Sequence, residues 1–112
     1  MTQPKPTLYK LEFYVPEQNL ESVKQAMFAA GAGRVGNYDC CAWQTRGEGQ
    51  FRPLTGSTPH LGQQDKLEHT PEYKVEMICE EPHLKAVLAA MKSAHPYDEV
   101  AHSVIRLTSV SD

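Results

Sequence analysis

The stretch YKVEMICEEPHLKAVLAAM, residues 73–91, changes its period halfway along. Tyr73, Val75, Met77 and Cys79 alternate with Lys74, Glu76 and Ile78, the two-residue repeat of a strand with one face on a core. Pro82 then stands where the first turn of a helix tolerates it, and Leu84, Val87, Leu88 and Met91 recur at i, i+3, i+4 and i+7. Pro96 forces His95 out of helical geometry and closes the helix. Residues 99–107, with Ala101, Ser103, Ile105 and Leu107 on one side, supply a strand beyond it.

The first half of the chain repeats this plan. From Thr7 to Val15, Tyr9, Leu11, Phe13 and Val15 alternate with Lys10, Glu12 and Tyr14, and Pro16 ends the strand. Leu20, Val23, Met27 and Ala30 fall at helical spacing over residues 18–30, with Gly31 as the stop. Residues 37–46 read as a second strand, Tyr38, Cys40 and Ala42 on one face and Asp39, Cys41 and Trp43 on the other, and the pattern does not say which face is core. The order strand, helix, strand, strand, helix, strand predicts an α+β domain over 7–108. This is a ferredoxin-like βαββαβ antiparallel sheet with two helices on one face, because each strand–helix–strand crossover is right-handed. Residues 1–6 and 109–112 are expected to be loose tails. The sheet face without helices needs a second copy of the chain to cover it, so a homo-oligomer, trimer or dimer, is expected.

Composition narrows the class. At 112 residues, 40% apolar and 22% charged, the chain has the make-up of a single folded domain. A net charge of −3 argues against nucleic acid as a partner, since phosphate binding needs clustered Lys and Arg. No apolar run approaches the roughly 20 residues needed to cross a bilayer, and the first ten residues lack the apolar core of a signal peptide, so a cytoplasmic protein is expected. Cys40, Cys41 and Cys79 are an odd number without zinc-finger spacing, which fits reduced thiols.

All seven glycines lie between Gly31 and Gly62, in GAGRVGNYDCCAWQTRGEGQFRPLTGSTPHLG. Residues 47–71 read as a long β2–β3 loop, anchored by Phe51, Leu54 and Leu61, and loops of that length are commonly functional. The ordered G-x-G-x-F-x-P-x-x-G-x-x-P-x-x-G from Gly47 to Gly62, followed by AHPYDEVAHSV, resembles the cap domain inserted in Nif-three-like (YqfO-type) metal-binding proteins, a domain that also occurs as a stand-alone small protein. The resemblance spans roughly residues 8 to 107. It implies a fold similar to the PII and CutA proteins, which commonly form trimers, and His95-Pro96-Tyr97 is also similar to CutA. Nif-three-like proteins bind two metal ions through their main domain. This chain matches only the cap, so none of its residues inherits those ligand roles. Position 100 is Val where a second proline commonly follows the acidic pair.

Two groups of residues are candidates for a site. His95, Asp98, Glu99 and His102 lie within eight residues and offer the imidazole and carboxylate ligands of a divalent metal such as zinc or copper. The plainer reading has His95 capping the helix while Asp98 and Glu99 order the turn. Gly47, Glu48, Gly49 and Arg52 offer backbone N–H groups and a cation to a small anion, and PII proteins use the corresponding connection for ligand and partner binding. Here the plainer reading is a turn packed on a neighbouring subunit. His60 and His69, with Asp65 and Glu68 between them, are a weaker metal candidate, and the aromatic residues Tyr38, Trp43, Phe51 and Tyr97 read as core or interface. No catalytic residue is assigned, because nothing pairs the cysteines with a base. The expected function is a non-enzymatic binding or regulatory module acting through the 47–71 loop and the 95–102 turn. A metal-dependent hydrolase accessory and a protein-interaction module are the alternatives.

Overall fold

The computed structural model describes residues 5–109. Of the tails expected at 1–6 and 109–112, residues 1–4 and 110–112 lie outside the described residues. Strand β1 (Leu8–Val15) leads through a 3-10 turn at Glu17–Asn19 into helix α1 (Leu20–Ala29). Strands β2 (Trp43–Phe51) and β3 (Glu68–Glu80) follow, then a 3-10 turn at Glu81–His83, helix α2 (Leu84–Ala94) and strand β4 (His102–Arg106). The sheet order is β2-β3-β1-β4 with every pair antiparallel, the ferredoxin-like arrangement anticipated from the order of elements.

The alternation in β1 and β3 acts through their register. Phe13 faces Val75, Leu11 faces Met77 and Tyr9 faces Cys79. All of these but Tyr9 are buried, and with Val15 they meet Val23 and Met27 of α1 and Val87 and Met91 of α2. Each such side chain contributes about 1.5–3 kcal/mol on leaving water. Burial also raises the pKa of the Cys79 thiol, with the Glu80 carboxylate adding to the effect, so this cysteine is a packing group. Among the described residues no helix is long and apolar enough to cross a membrane.

The second strand departs from expectation. Residues 37–42 are not strand, and pairing begins at Trp43 and runs on to Phe51. Cys40 adopts φ 55°, a left-handed conformation that no strand continues. Upstream, Val35 and Tyr38 exchange two 2.9 Å hydrogen bonds around Gly36. The Gly33 N–H donates to the Ile78 carbonyl and the Cys41 N–H to the Gly33 carbonyl, both at 2.8 Å. Residues 31–42 are thus a folded connection clipped to β3. The 47–71 loop shrinks correspondingly to 52–67, because Gly47–Phe51 and Glu68–Pro71 are paired strand.

The outer sheet face also differs from the apolar surface expected. Its centre is charged: Lys10 Nζ lies 2.6 Å from Glu76 and 3.6 Å from Glu12, and Lys74 approaches Glu12 at 3.8 Å. The hydrogen bond between Lys10 and Glu76 raises the pKa of the amine and lowers that of the acid. The most exposed apolar groups of the sheet sit on the edge strands, Trp43 at 67% and Ile105 at 42% exposure, and every residue of β4 is exposed. The molecule is elongated, 58 × 23 × 23 Å, with a radius of gyration of 15.9 Å against about 13 Å for a compact chain of this length. The length comes from β2 and β3, which run on as a two-stranded arm beyond the end of β1.

Gly33 has φ +80°, and a methyl group there would press on the Phe28 ring and the Cys41 carbonyl, whereas Gly36, at φ +56°, faces open space. Gly36→Ala is expected to cost about 1–2 kcal/mol, the left-handed penalty alone. Gly33→Ala should cost measurably more, and urea unfolding of the two variants measures the difference.

Candidate functional site

At the far end of the sheet from the N-terminus of β1, the 52–67 connection folds back along the arm and meets the turn between α2 and β4. One hydrogen bond joins them, from the Thr58 N–H to Asp98 Oδ2 at 3.0 Å, while Asp98 Oδ1 accepts the Glu99 N–H at 3.0 Å. Asp98 therefore organises its own turn and holds the connection to it. Within the connection, the Asp65 N–H donates to the Pro53 carbonyl, and Pro53 is buried. The fold-back encloses a cleft of about 690 Å³, a size usual for small-molecule sites, bounded by Tyr14, Phe51, His60, Glu72, Tyr97 and Glu99 among others.

Tyr97 is the hub of this cleft. Its hydroxyl donates to Glu72 Oε2 at 2.8 Å, and its ring lies 4.8 Å from His95, 6.1 Å from His60 and 6.5 Å from Phe51 between centroids. Burial and then the Glu72 carboxylate push the phenol pKa well above its ordinary value, so Tyr97 is a hydrogen-bond donor and not a base. Glu72 lies on the outer face of β3, opposite Gly47 and diagonal to Gly49. A side chain at position 49 would run into the Glu72 carboxylate, and glycine there lets that carboxylate lie flat across the strand toward Tyr97.

His95 supports Tyr97 from behind. Its side chain is buried at 7% exposure. The Tyr14 carbonyl only accepts, so His95 Nε2 carries the proton and donates to it at 2.7 Å, leaving Nδ1 to accept the Tyr97 N–H at 3.1 Å. Burial lowers the imidazole pKa; the Tyr14 carbonyl and Glu72 oppose that effect, and His60 adds to it.

The sequence-level candidates divide on this geometry. Both nitrogens of His95 are engaged, so it has no lone pair to offer a metal ion. Asp98 is occupied by two backbone N–H groups, and His102 Nδ1 donates to the Val100 carbonyl at 2.7 Å, out on the exposed start of β4. His95, Asp98, Glu99 and His102 are not gathered around one point: among the described residues no group of three or more His, Cys, Asp or Glu side chains stands where a metal ion would be held. The physical reason is that His95 points into the core while the acids face the cleft. Gly47, Glu48 and Gly49 belong to β2, Glu48 pairs with His69 at 3.2 Å, and Arg52 is the member of that set that lines the cleft. Glu72 and Tyr14 carried no site signal in the sequence. The glycines opposite Glu72 were the available clue, since glycine inside a strand marks a close approach.

No family model matches this chain. The protein named GTP cyclohydrolase 1 type 2 homolog from Halalkalibacterium halodurans is 40% identical over 103 residues, which cover 92% of this chain and 28% of that protein. Its namesake from Mycobacterium tuberculosis is 41% identical over 100 residues, covering 89% and 26%. A solved Bacillus cereus protein described as related to NIF3 superposes with a TM-score of 0.83 at 33% identity, over 97% of this chain and 28% of that one. The chain is homologous to one segment of the NIF3-type proteins. It spans about a quarter of the length of these NIF3-type relatives. CutA from Archaeoglobus fulgidus, described as a periplasmic divalent cation tolerance protein, matches 93% of the chain and 87% of its own at a TM-score of 0.66 and 12% identity, a likeness of fold alone. CutA from Synechococcus elongatus gives the same TM-score at 19% identity.

The buried histidine has a consequence for pH. The folded protein keeps His95 neutral at pH values where the unfolded chain, with a pKa near 6.5, takes up a proton. The unfolded state then binds more protons, so stability is expected to fall as pH drops below about 6.5 and to level off below the folded pKa. Denaturant midpoints at pH 7.5, 6.5 and 5.5 should show this fall, and His95→Gln, which keeps a donor for the Tyr14 carbonyl, should flatten it.

Proposed function

We propose that this chain is a binding or regulatory module whose ligand occupies the cleft between the 52–67 connection and the 95–101 turn. The observation that carries the reading is the Thr58–Asp98 hydrogen bond, which joins two segments 40 residues apart and so closes the cleft. Polar groups converge there on apolar walls, the usual make-up of a small-ligand site. A divalent metal, zinc or copper, would have to be held by Glu99, His60 or Glu72 with groups from elsewhere, and a small anion would rely on Arg52. The hydrolase-accessory reading needs a metal-bound water with a base beside it, and the protonated Tyr97 is not such a base. The NIF3-type relatives are about four times as long as this chain.

The test is a mixed fragment library read by 15N NMR. Shifts are expected to cluster at the Thr58, Tyr97 and Glu99 amides, and Asp98→Ala should weaken binding at least about fivefold by releasing the connection. Shifts that spread over the surface, or appear at other amides only, would refute the cleft as the site.

We infer also that copies of the chain associate through their edge strands. This is favoured by the exposure of all five β4 residues and of Trp43, because large apolar groups on unpaired edges invite a partner. Native mass spectra at micromolar concentration should give a dimer or trimer, and Ile105→Asp should shift it to monomer. A monomeric wild type would refute the inference.

A further inference from the structure

The chemistry of the cleft wall narrows the kind of ligand. Three carboxylates, Glu72, Asp98 and Glu99, face it together with one guanidinium, Arg52, and one imidazole, His60. Asp98 is consumed by two backbone N–H groups. Glu72 gives one oxygen to Tyr97, and among the described residues neither Glu72 nor Glu99 has a cationic partner within ion-pair distance. Acidic charge thus exceeds basic charge in a recess where Glu72 is only partly exposed. Negative charge that no protein cation balances stabilises a positively charged guest.

The aromatic groups favour the same guest. Tyr14, Phe51 and Tyr97 line the cleft, and the tilted contacts of Tyr97 with Phe51 (46°) and His60 (50°) set the rings around a concavity instead of stacking them shut. Ring faces attract cations lying within about 6 Å of the centroid, more strongly where water is excluded. Pro53, Leu54, Pro59 and Leu61 complete the wall with apolar surface. A bare metal ion gains nothing from such walls, and an inorganic anion meets more acid than base.

Building on the cleft reading, we propose that the ligand is an organic cation: an ammonium or guanidinium head seated between Glu72 and the Tyr97 and Phe51 rings, on a carbon stem packed against the prolines and leucines. Such a head is carried by free amines and by lysine or arginine side chains, and the test separates these sources. The wild-type protein is titrated, with 15N NMR detection, with choline, with its neutral isostere 3,3-dimethylbutan-1-ol, with butylguanidinium, with a capped arginine dipeptide and with inorganic phosphate. The expected result is saturable shifts at Tyr97, Thr58 and Glu99 for the cations, at least tenfold tighter than for the neutral alcohol. Glu72→Gln, which keeps an acceptor for the Tyr97 hydroxyl and so preserves the fold, should weaken them about tenfold, and Phe51→Leu should weaken choline more than the alcohol. Tighter binding of the dipeptide than of butylguanidinium would assign the head to a partner's side chain; the reverse order would assign it to a free amine. Equal binding of choline and the alcohol, or no effect of Glu72→Gln, would overturn the proposal. Shifts with phosphate alone would overturn it while leaving the cleft reading standing. Silence of every probe overturns it as well, and the cleft reading falls with it if the mixed library also fails to give shifts clustered at Thr58, Tyr97 and Glu99.

Discussion

Two short helices cannot cover a sheet built on a thirteen-residue strand. At about 3.3 Å per residue β3 is roughly 43 Å long. The eleven residues of α2 reach about 16 Å. The helices therefore bury only the stretch of β3 that pairs with β1, where Val75, Met77 and Cys79 face Phe13, Leu11 and Tyr9. Everything beyond Tyr73 must find other support, because a lone two-stranded ribbon is marginal in water. The 52–67 connection provides it by folding back along the arm to the end of α2. The cleft is the gap that this fold-back leaves.

Two linkages hold that gap in shape. Asp98 fixes the connection from the turn side through Thr58. Tyr97 fixes the arm through Glu72, and the buried His95 orients Tyr97 through its backbone N–H. The last turn of α2, its exit and the start of the arm are thus parts of one polar network around Tyr97. Each member has its partner, and among the described residues no buried side-chain nitrogen or oxygen is left without one. Such a network specifies one arrangement more sharply than apolar packing does.

How much of this was legible depended on whether a residue carried a face signal. β1 and β3 could be read because Leu11, Phe13, Val15, Val75 and Met77 alternate with charged or polar groups. β2 was misplaced because its outer face is Trp43, Thr45, Gly47, Gly49 and Phe51, and glycine shows no side to a periodicity argument. The vicinal cysteines then looked like strand, although Cys40 is left-handed. The 95–102 turn was legible as a place of chemistry from its density of His, Asp and Glu. The direction each side chain takes was not, since it depends on the Tyr14 carbonyl and the Thr58 amide, far off in sequence. Glu72 fell between the 47–71 loop and the strand read from Tyr73, and neither reading covered it.

The network around Tyr97 also sets when the cleft comes into being. Its two defining contacts span 25 and 40 residues, and closing such loops costs entropy that the local contacts of the helices do not. During synthesis neither contact exists until positions 97 and 98 have been made, by which point β1, α1, β2 and β3 are already available to pair. The cleft is therefore a late product of folding, and a chain stopped short of Tyr97 presents the arm without its keeper.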